Sequence, residues 1–187
     1  MSKERSMDAQ QLKQLQEPHK QRYREFPESG MVELHSQGMV DFHQLTCKVP
    51  SRKDPSEDGV VAGLHPAAGG PGTFACSGEM LLDALIACAG VTFAAVSTAM
   101  SLSISEAMIV AKGWMDFRGT LGVDKTVPVG IQRIELQFEV HTSASDEQLA
   151  TLLRLTERYC VIMQTLQQST AIVATIVRRG NAPQIDA

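Results

Sequence analysis

The clearest pattern in the chain is an alternation over residues 130–141. Ile134, Leu136, Phe138 and Val140 fall on one side, and Arg133, Glu135, Gln137 and Glu139 on the other. A period of two belongs to a β-strand with one face buried and one wet, which an antiparallel sheet permits. Residues 106–118 read as a second strand, and shorter alternating segments at 31–35, 39–49 and 60–64 read as three more. A final strand is expected at 171–177.

Helical spacing appears elsewhere. Residues 7–26 are polar, with Pro18 inside, and predict a helix that lies on the outside or reaches a partner. Ser145 with Gln148 three positions on is a capping box, opening a helix with Leu149, Leu152, Leu153 and Thr156 on one side. The chain then passes through Cys160 into residues 161–168, as the same helix or as a second one. Between the strands, a helix is expected from Ser77 to Met100, and over residues 80–100 Asp83 is its single charge. A helix apolar on all sides needs cover on all sides, so this one is predicted at the centre of the fold. By length alone it could span a bilayer. Its Ala, Gly, Ser and Thr content, the strands that follow and the lack of a second span or basic flank favour a core helix. Loops are expected at 50–59 and 65–72, where prolines and glycines should forbid a regular element. The order predicts an α+β domain at 29–187 behind a helical extension at 1–28.

With 187 residues the chain suits one domain with a sizeable core. A net charge of −4 with scattered Lys and Arg gives no basis for nucleic-acid binding. No apolar signal segment opens the chain, so a cytoplasmic location is expected. Four cysteines at 47, 76, 88 and 160 form no Cys-x-x-Cys and no ligand spacing. That argues against a metal site and against a disulfide-stapled secreted fold.

Taken singly, each cysteine is an inert core thiol as readily as a functional one. Cys88 lies among Ala87, Ala89 and Gly90, and the face of Leu85, Cys88, Thr92 and Phe93 reads as plain core. Two motifs change that balance. The run from Ser77 through Glu79-Met80-Leu81-Leu82 to Cys88, and Arg158-Tyr159-Cys160-Val161-Ile162 placed 72 residues after Cys88, resemble the OsmC/Ohr superfamily of thiol-dependent hydroperoxide reductases. The likeness covers roughly residues 60–178. It implies a two-layer α+β fold whose antiparallel sheets pack on a long buried central helix, made as an intertwined homodimer.

The resemblance further implies a reaction. Cys88 would attack a small organic hydroperoxide and Cys160 would resolve the oxidised sulfur as a disulfide. An external dithiol would reduce that disulfide, with no bound cofactor, metal, nucleic acid or membrane. Glu79, nine residues before Cys88, would tune the thiolate together with an arginine; the position ten before, where well-known members carry the carboxylate, is Gly78. Nine helical residues separate two groups by about 13.5 Å and half a rotation, so Glu79 and Cys88 meet only through an irregular helix start or a partner subunit. Arg52 occupies the region of the expected arginine, with Arg22, Arg24 and Arg118 as rivals. His65 would border the pocket, Cys76 would compete as resolving thiol, and Cys47 reads as core. Val161 replaces the proline usual after the second cysteine, so one helix running on would leave Cys160 less activated. The other reading is a non-catalytic OsmC-like binding or redox-sensing protein with structural thiols.

Overall fold

A computed structural model describes residues 7–51 and 59–178. Helix α1 (Ala9–Glu25) starts at a capping box in which Asp8 accepts from Gln11 N–H at 2.8 Å, and it buries no residue. It runs past Pro18 as one helix and lies beside the last turn of the long apolar helix, at Ala99.

The early strands differ from expectation. Residues 31–35 form no strand, because their apolar positions, Met31, Val32 and Leu34, find no neighbouring strand and stay exposed. The segment at 39–49 is a hairpin rather than one strand. Asp41 Oδ1 accepts from the N–H groups of His43 and Gln44 at 2.7 and 3.1 Å, and Leu45 takes φ +53°, which reverses the chain. Strands β1 (Met39–Asp41) and β2 (Thr46–Val49) therefore pair antiparallel, and β3 (Val60–Ala62) adds to β2. The loop at 65–72 contains a short 3-10 turn, Pro66–Ala68, despite its prolines and glycines. His65 Nδ1 opens the turn by accepting from Ala67 N–H at 3.0 Å, and Gly69 closes it at φ +89°.

The second half follows the sequence closely. Helix α2 (Ser77–Ala99) leads into β4 (Ile104–Met115), the short α3 (Phe117–Thr120) and β5 (Ile131–Thr142). β4 and β5 form a long antiparallel pair with Ile109 opposite Phe138 and Ala111 opposite Leu136. The alternation in β5 holds: Ile134, Leu136, Phe138 and Val140 turn inward while the charged positions between them are exposed. α4 (Asp146–Tyr159) opens on the Ser145–Gln148 capping box, and α5 (Val161–Gln167) follows after a break at Cys160.

The core lies where α2 meets β4, β5, α4 and α5. Leu85, Ala89, Phe93 and Ser97, each four apart, form the buried face of α2. Phe93 stacks on Phe138 at 5.0 Å, and Leu152 and Thr156 of α4 are completely buried. Full burial of a side chain such as Leu85 stabilises the fold by about 1.5–3 kcal/mol. The other side of α2 is uncovered: Ala84, Ala87, Val91 and Ala94 are exposed. The strand expected at 171–177 does not form. Those residues find no partner edge, and Ile172, Val173 and Ile176 are 90%, 89% and 97% exposed.

Candidate active site

Two thiols far apart in sequence come together here. Cys88 stands one residue before the buried Ala89, at the edge of the covered face of α2, and is half-buried. Cys160 ends α4 and begins α5, with extended backbone (φ −72°, ψ 108°), and is completely buried. The break is what brings the second thiol in. A single continuous helix would have spent the N–H groups of residues 161–163 on carbonyls one turn back. Here the first α5 residue bonded in that way is Gln164, whose N–H reaches Cys160 O at 2.9 Å.

The freed donors turn to sulfur. Burial pushes the Cys88 thiol up, but the neighbouring Ile162 N–H, Cys160 thiol and Val161 N–H, with the Thr92 hydroxyl close by, bring it below its ordinary value. Cys160 moves the other way. Burial raises it, and the neighbouring Cys88 raises it further, against hydrogen bonds from Met163 and Ile162 N–H that lower it. The first thiolate to form is therefore Cys88, with Cys160 beside it as a protonated donor. Thr92 is fixed by its hydroxyl, which donates to Cys88 O at 2.8 Å. Thr92, Val161 and Ile162 lie around Cys88 in parts that sequence reasoning did not assign to them. A hydroxyl one turn after a cysteine was the available signal for Thr92; the amides carry none.

A groove of about 420 Å³ opens on the other side of residues that pack with the pair, and neither cysteine lines it. Leu85, Ile134, Leu136 and Met163 line it and also pack on the cluster that contains Cys160. Arg133 and Glu157 stand at its wall.

The remaining candidates sit elsewhere in the chain. Glu79 Oε2 accepts from Cys76 N–H at 2.7 Å, closing a capping box at the start of α2. Within one chain it is thus engaged two and a half turns before Cys88. Cys76 is the buried N-cap of that helix, well away from the pair. His65 stacks on Phe117 at 4.7 Å, and Arg118 of α3 forms a bidentate pair with Asp116, the closer contact being 2.6 Å. Cys47 lies in β2 opposite Val40 and Ala62. Of the rival arginines, Arg24 pairs with Glu17 at 3.3 Å on α1. Arg52 lies outside the described residues. No cluster of three or more His, Cys, Asp or Glu side chains able to hold a metal is present among the described residues.

A helix carrying one thiol, packed on an antiparallel pair, with a second thiol at the break between two later helices, defines a two-cysteine α+β protein. The chain belongs to the OsmC-like protein family, which it matches over residues 70–175. The fold agrees with solved structures at low identity. An OsmC-like protein from Mycoplasma pneumoniae is 18% identical with a TM-score of 0.59, over 74% of this chain and 89% of that one. An OsmC-like protein of unknown function from Vibrio cholerae is 14% identical with a TM-score of 0.55, over 78% of this chain and 100% of the other. A hypothetical protein from Aquifex aeolicus, 18% identical, reaches 0.53 over 75% and 91%. No curated protein matches the sequence significantly. Since OsmC-like proteins are soluble, and α2 buries its Leu85–Phe93 face on sheet and helices, α2 is read as a core helix despite a mean hydropathy of 2.0.

Proposed function

We propose that this chain is a thiol-dependent peroxidase that reduces organic hydroperoxides, with Cys88 as peroxidatic and Cys160 as resolving cysteine. One observation carries the reading: Cys88 packs against the buried cluster that contains Cys160, its thiol lying below the ordinary value while that of Cys160 lies above it. The Cys88 thiolate attacks the terminal peroxide oxygen and the O–O bond breaks. The alkoxide takes a proton from solvent and leaves as alcohol, and Cys88 becomes a sulfenic acid. Cys160 gives up its proton and attacks that sulfur; the S–S bond forms and the hydroxyl leaves with the proton as water. An external dithiol supplies two electrons and two protons to restore both thiols. The apolar part of the groove, at Leu85, Ile134, Leu136 and Met163, would suit the organic part of the substrate, so hydrogen peroxide should be the poorer one.

The functional unit on this reading is a cytoplasmic homodimer. The uncovered side of α2 and the open segment at 171–178 are the surfaces a second copy would cover. The test is a peptide map of reduced protein after one equivalent of cumene hydroperoxide. A Cys88–Cys160 link is expected, and Cys160→Ser should instead leave a trappable sulfenic acid on Cys88. Wild-type peroxide consumption by Cys88→Ser would overturn the proposal, whereas wild-type consumption by Cys47→Ser is expected.

A further inference from the structure

We propose that Met163 is a second oxidation site of this chain: an organic hydroperoxide held in the groove converts its thioether to the sulfoxide, and that change loosens α5 from α2 and uncovers Cys160. The inference rests on the groove as the place that takes the organic part of the substrate, and it makes that substrate, in excess, a regulator of the thiol pair.

Met163 has two neighbourhoods. On one side its side chain packs, with that of Ile162, on the cluster of Leu85, Ala89 and Cys160, and together they hold α5 on α2 at that point. On the other side Met163 lines the groove, with Ile134 and Leu136 of β5 across from it. Neither cysteine lines that groove, and Met163 is the sulfur-bearing residue that does. A thioether fills irregular apolar space well, and it is also the group on that wall which a peroxide oxidises. The other methionines stand differently. Met31, Met39 and Met108 are 86%, 77% and 54% exposed, while the half-buried Met80, Met100 and Met115 do not line this groove.

The step needs no thiol. The methionine sulfur attacks the terminal peroxide oxygen, and the S–O bond forms as the O–O bond breaks. The hydroperoxide proton passes to the alkoxide, which leaves as alcohol; sulfur is oxidised by two electrons and the peroxide reduced by two. The product changes the packing. A sulfoxide oxygen is a hydrogen-bond acceptor, and burying it without a donor is unfavourable. The cluster offers it only apolar surface and the Cys160 thiol, and the Gln132 amide at the groove already donates to Gly130 O at 2.9 Å. Solvent in the open groove is the donor within reach, so the oxidised side chain turns out of the cluster and leaves a void behind it. Ile162 then remains to hold α5 there, and Cys160, which has no exposed surface in the reduced chain, opens to solvent.

The oxidation half is tested on full-length Cys88→Ser protein, treated with excess cumene hydroperoxide or with hydrogen peroxide and followed by peptide mass. Cumene hydroperoxide should put oxygen on Met163 before Met31, Met39 and Met108, whereas hydrogen peroxide should act in order of exposure, on Met31 first. If cumene hydroperoxide follows exposure as well, the inference falls. The packing half needs no peroxide. In reduced Met163→Gln, a polar side chain of similar length, N-ethylmaleimide should label Cys160 about tenfold faster than in wild type, since a buried thiol reacts through local opening. Met163→Leu, which keeps the apolar volume, should label as wild type does. Equal Cys160 labelling in Met163→Gln and Met163→Leu would overturn the uncovering of Cys160. The oxidation assay lacks Cys88, so its failure would leave thiol turnover to be judged by the Cys88–Cys160 peptide map of the wild-type protein.

Discussion

A half-buried sulfur becomes a useful nucleophile only where its surroundings favour the anion by more than burial disfavours it. For Cys88 the surplus comes from neutral neighbours, of which the Cys160 thiol is one. Cys160→Ala should therefore raise the Cys88 pKa by about one unit or less, and Cys160→Ser, which retains an O–H donor, by less than Cys160→Ala. Alkylation profiles of the two variants check this, and equal profiles for both would remove Cys160 from the donor set. The same shifts enter stability with opposite signs. Folded Cys88 lies below an unfolded thiol, so its contribution is complete above the unfolded value and is lost as pH falls through the folded one. Folded Cys160 lies above, so its contribution is complete below the unfolded value and is lost as pH rises through the folded one. Under reducing conditions the urea midpoint of wild type relative to Cys88→Ser should rise with pH from neutral to about 8.5, the unfolded thiol value. A flat difference would show that Cys88 is not shifted. The two cysteines were legible in the sequence because their spacing and neighbours form a pattern. Their donors were not, since amides are anonymous until a fold shows which ones lack a partner.

At the scale of elements, legibility followed the strength of local signals. The ends of α2, the alternation of β5 and the cap of α4 were readable because each is decided by its own residues. Residues 31–35 alternate and 171–177 are rich in β-branched residues, as strands are, but such patterns describe a surface and pairing needs an edge, which the described residues do not offer them. Whether one helix or two ran through Cys160 was also undecidable locally, and that break sets the site. Capping gives two measurable expectations. Ser145→Ala should cost about 1 kcal/mol of stability by urea unfolding, because the Ser145 hydroxyl accepts from Gln148 N–H. Glu79→Gln should cost about 0.3–1 kcal/mol, the worth of a carboxylate in a first helical turn, and leave Cys88 alkylation unchanged. Slower Cys88 alkylation with unchanged stability would instead assign Glu79 to the partner subunit's thiolate.

For the whole molecule, the exposed area decides whether one copy is enough. The chain exposes 15411 Å² at 20.3 kDa, against roughly 8,800 Å² for a folded monomer of that mass. The excess is apolar at identifiable places. Val91 on the open side of α2 is 73% exposed, and Ala84, Ala87 and Ala94 lie on the same side, a surface small enough in relief for another helix to approach closely. The β1–β2–β3 sheet makes its substantial contacts, among the described residues, within itself. Ile172, Val173, Ile176 and Val177 have the composition of a strand and lack an edge to join. Obligate dimers bury about 2,000–5,000 Å² or more over both partners, so a second copy would absorb part of this excess. Light scattering at micromolar concentration should therefore give twice the chain mass, with no monomer on dilution short of unfolding. Val91→Lys, placing a charge where a second copy would cover α2, should lower the apparent melting temperature and make it depend on protein concentration. Removal of residues 171–187 should do the same more severely, since it takes away Ile172, Val173, Ile176 and Val177, whose side chains are exposed in the single chain. A stable monomer in which Cys88 and Cys160 still link after one equivalent of peroxide would separate the chemistry from the assembly and leave the exposed face unexplained by a second copy.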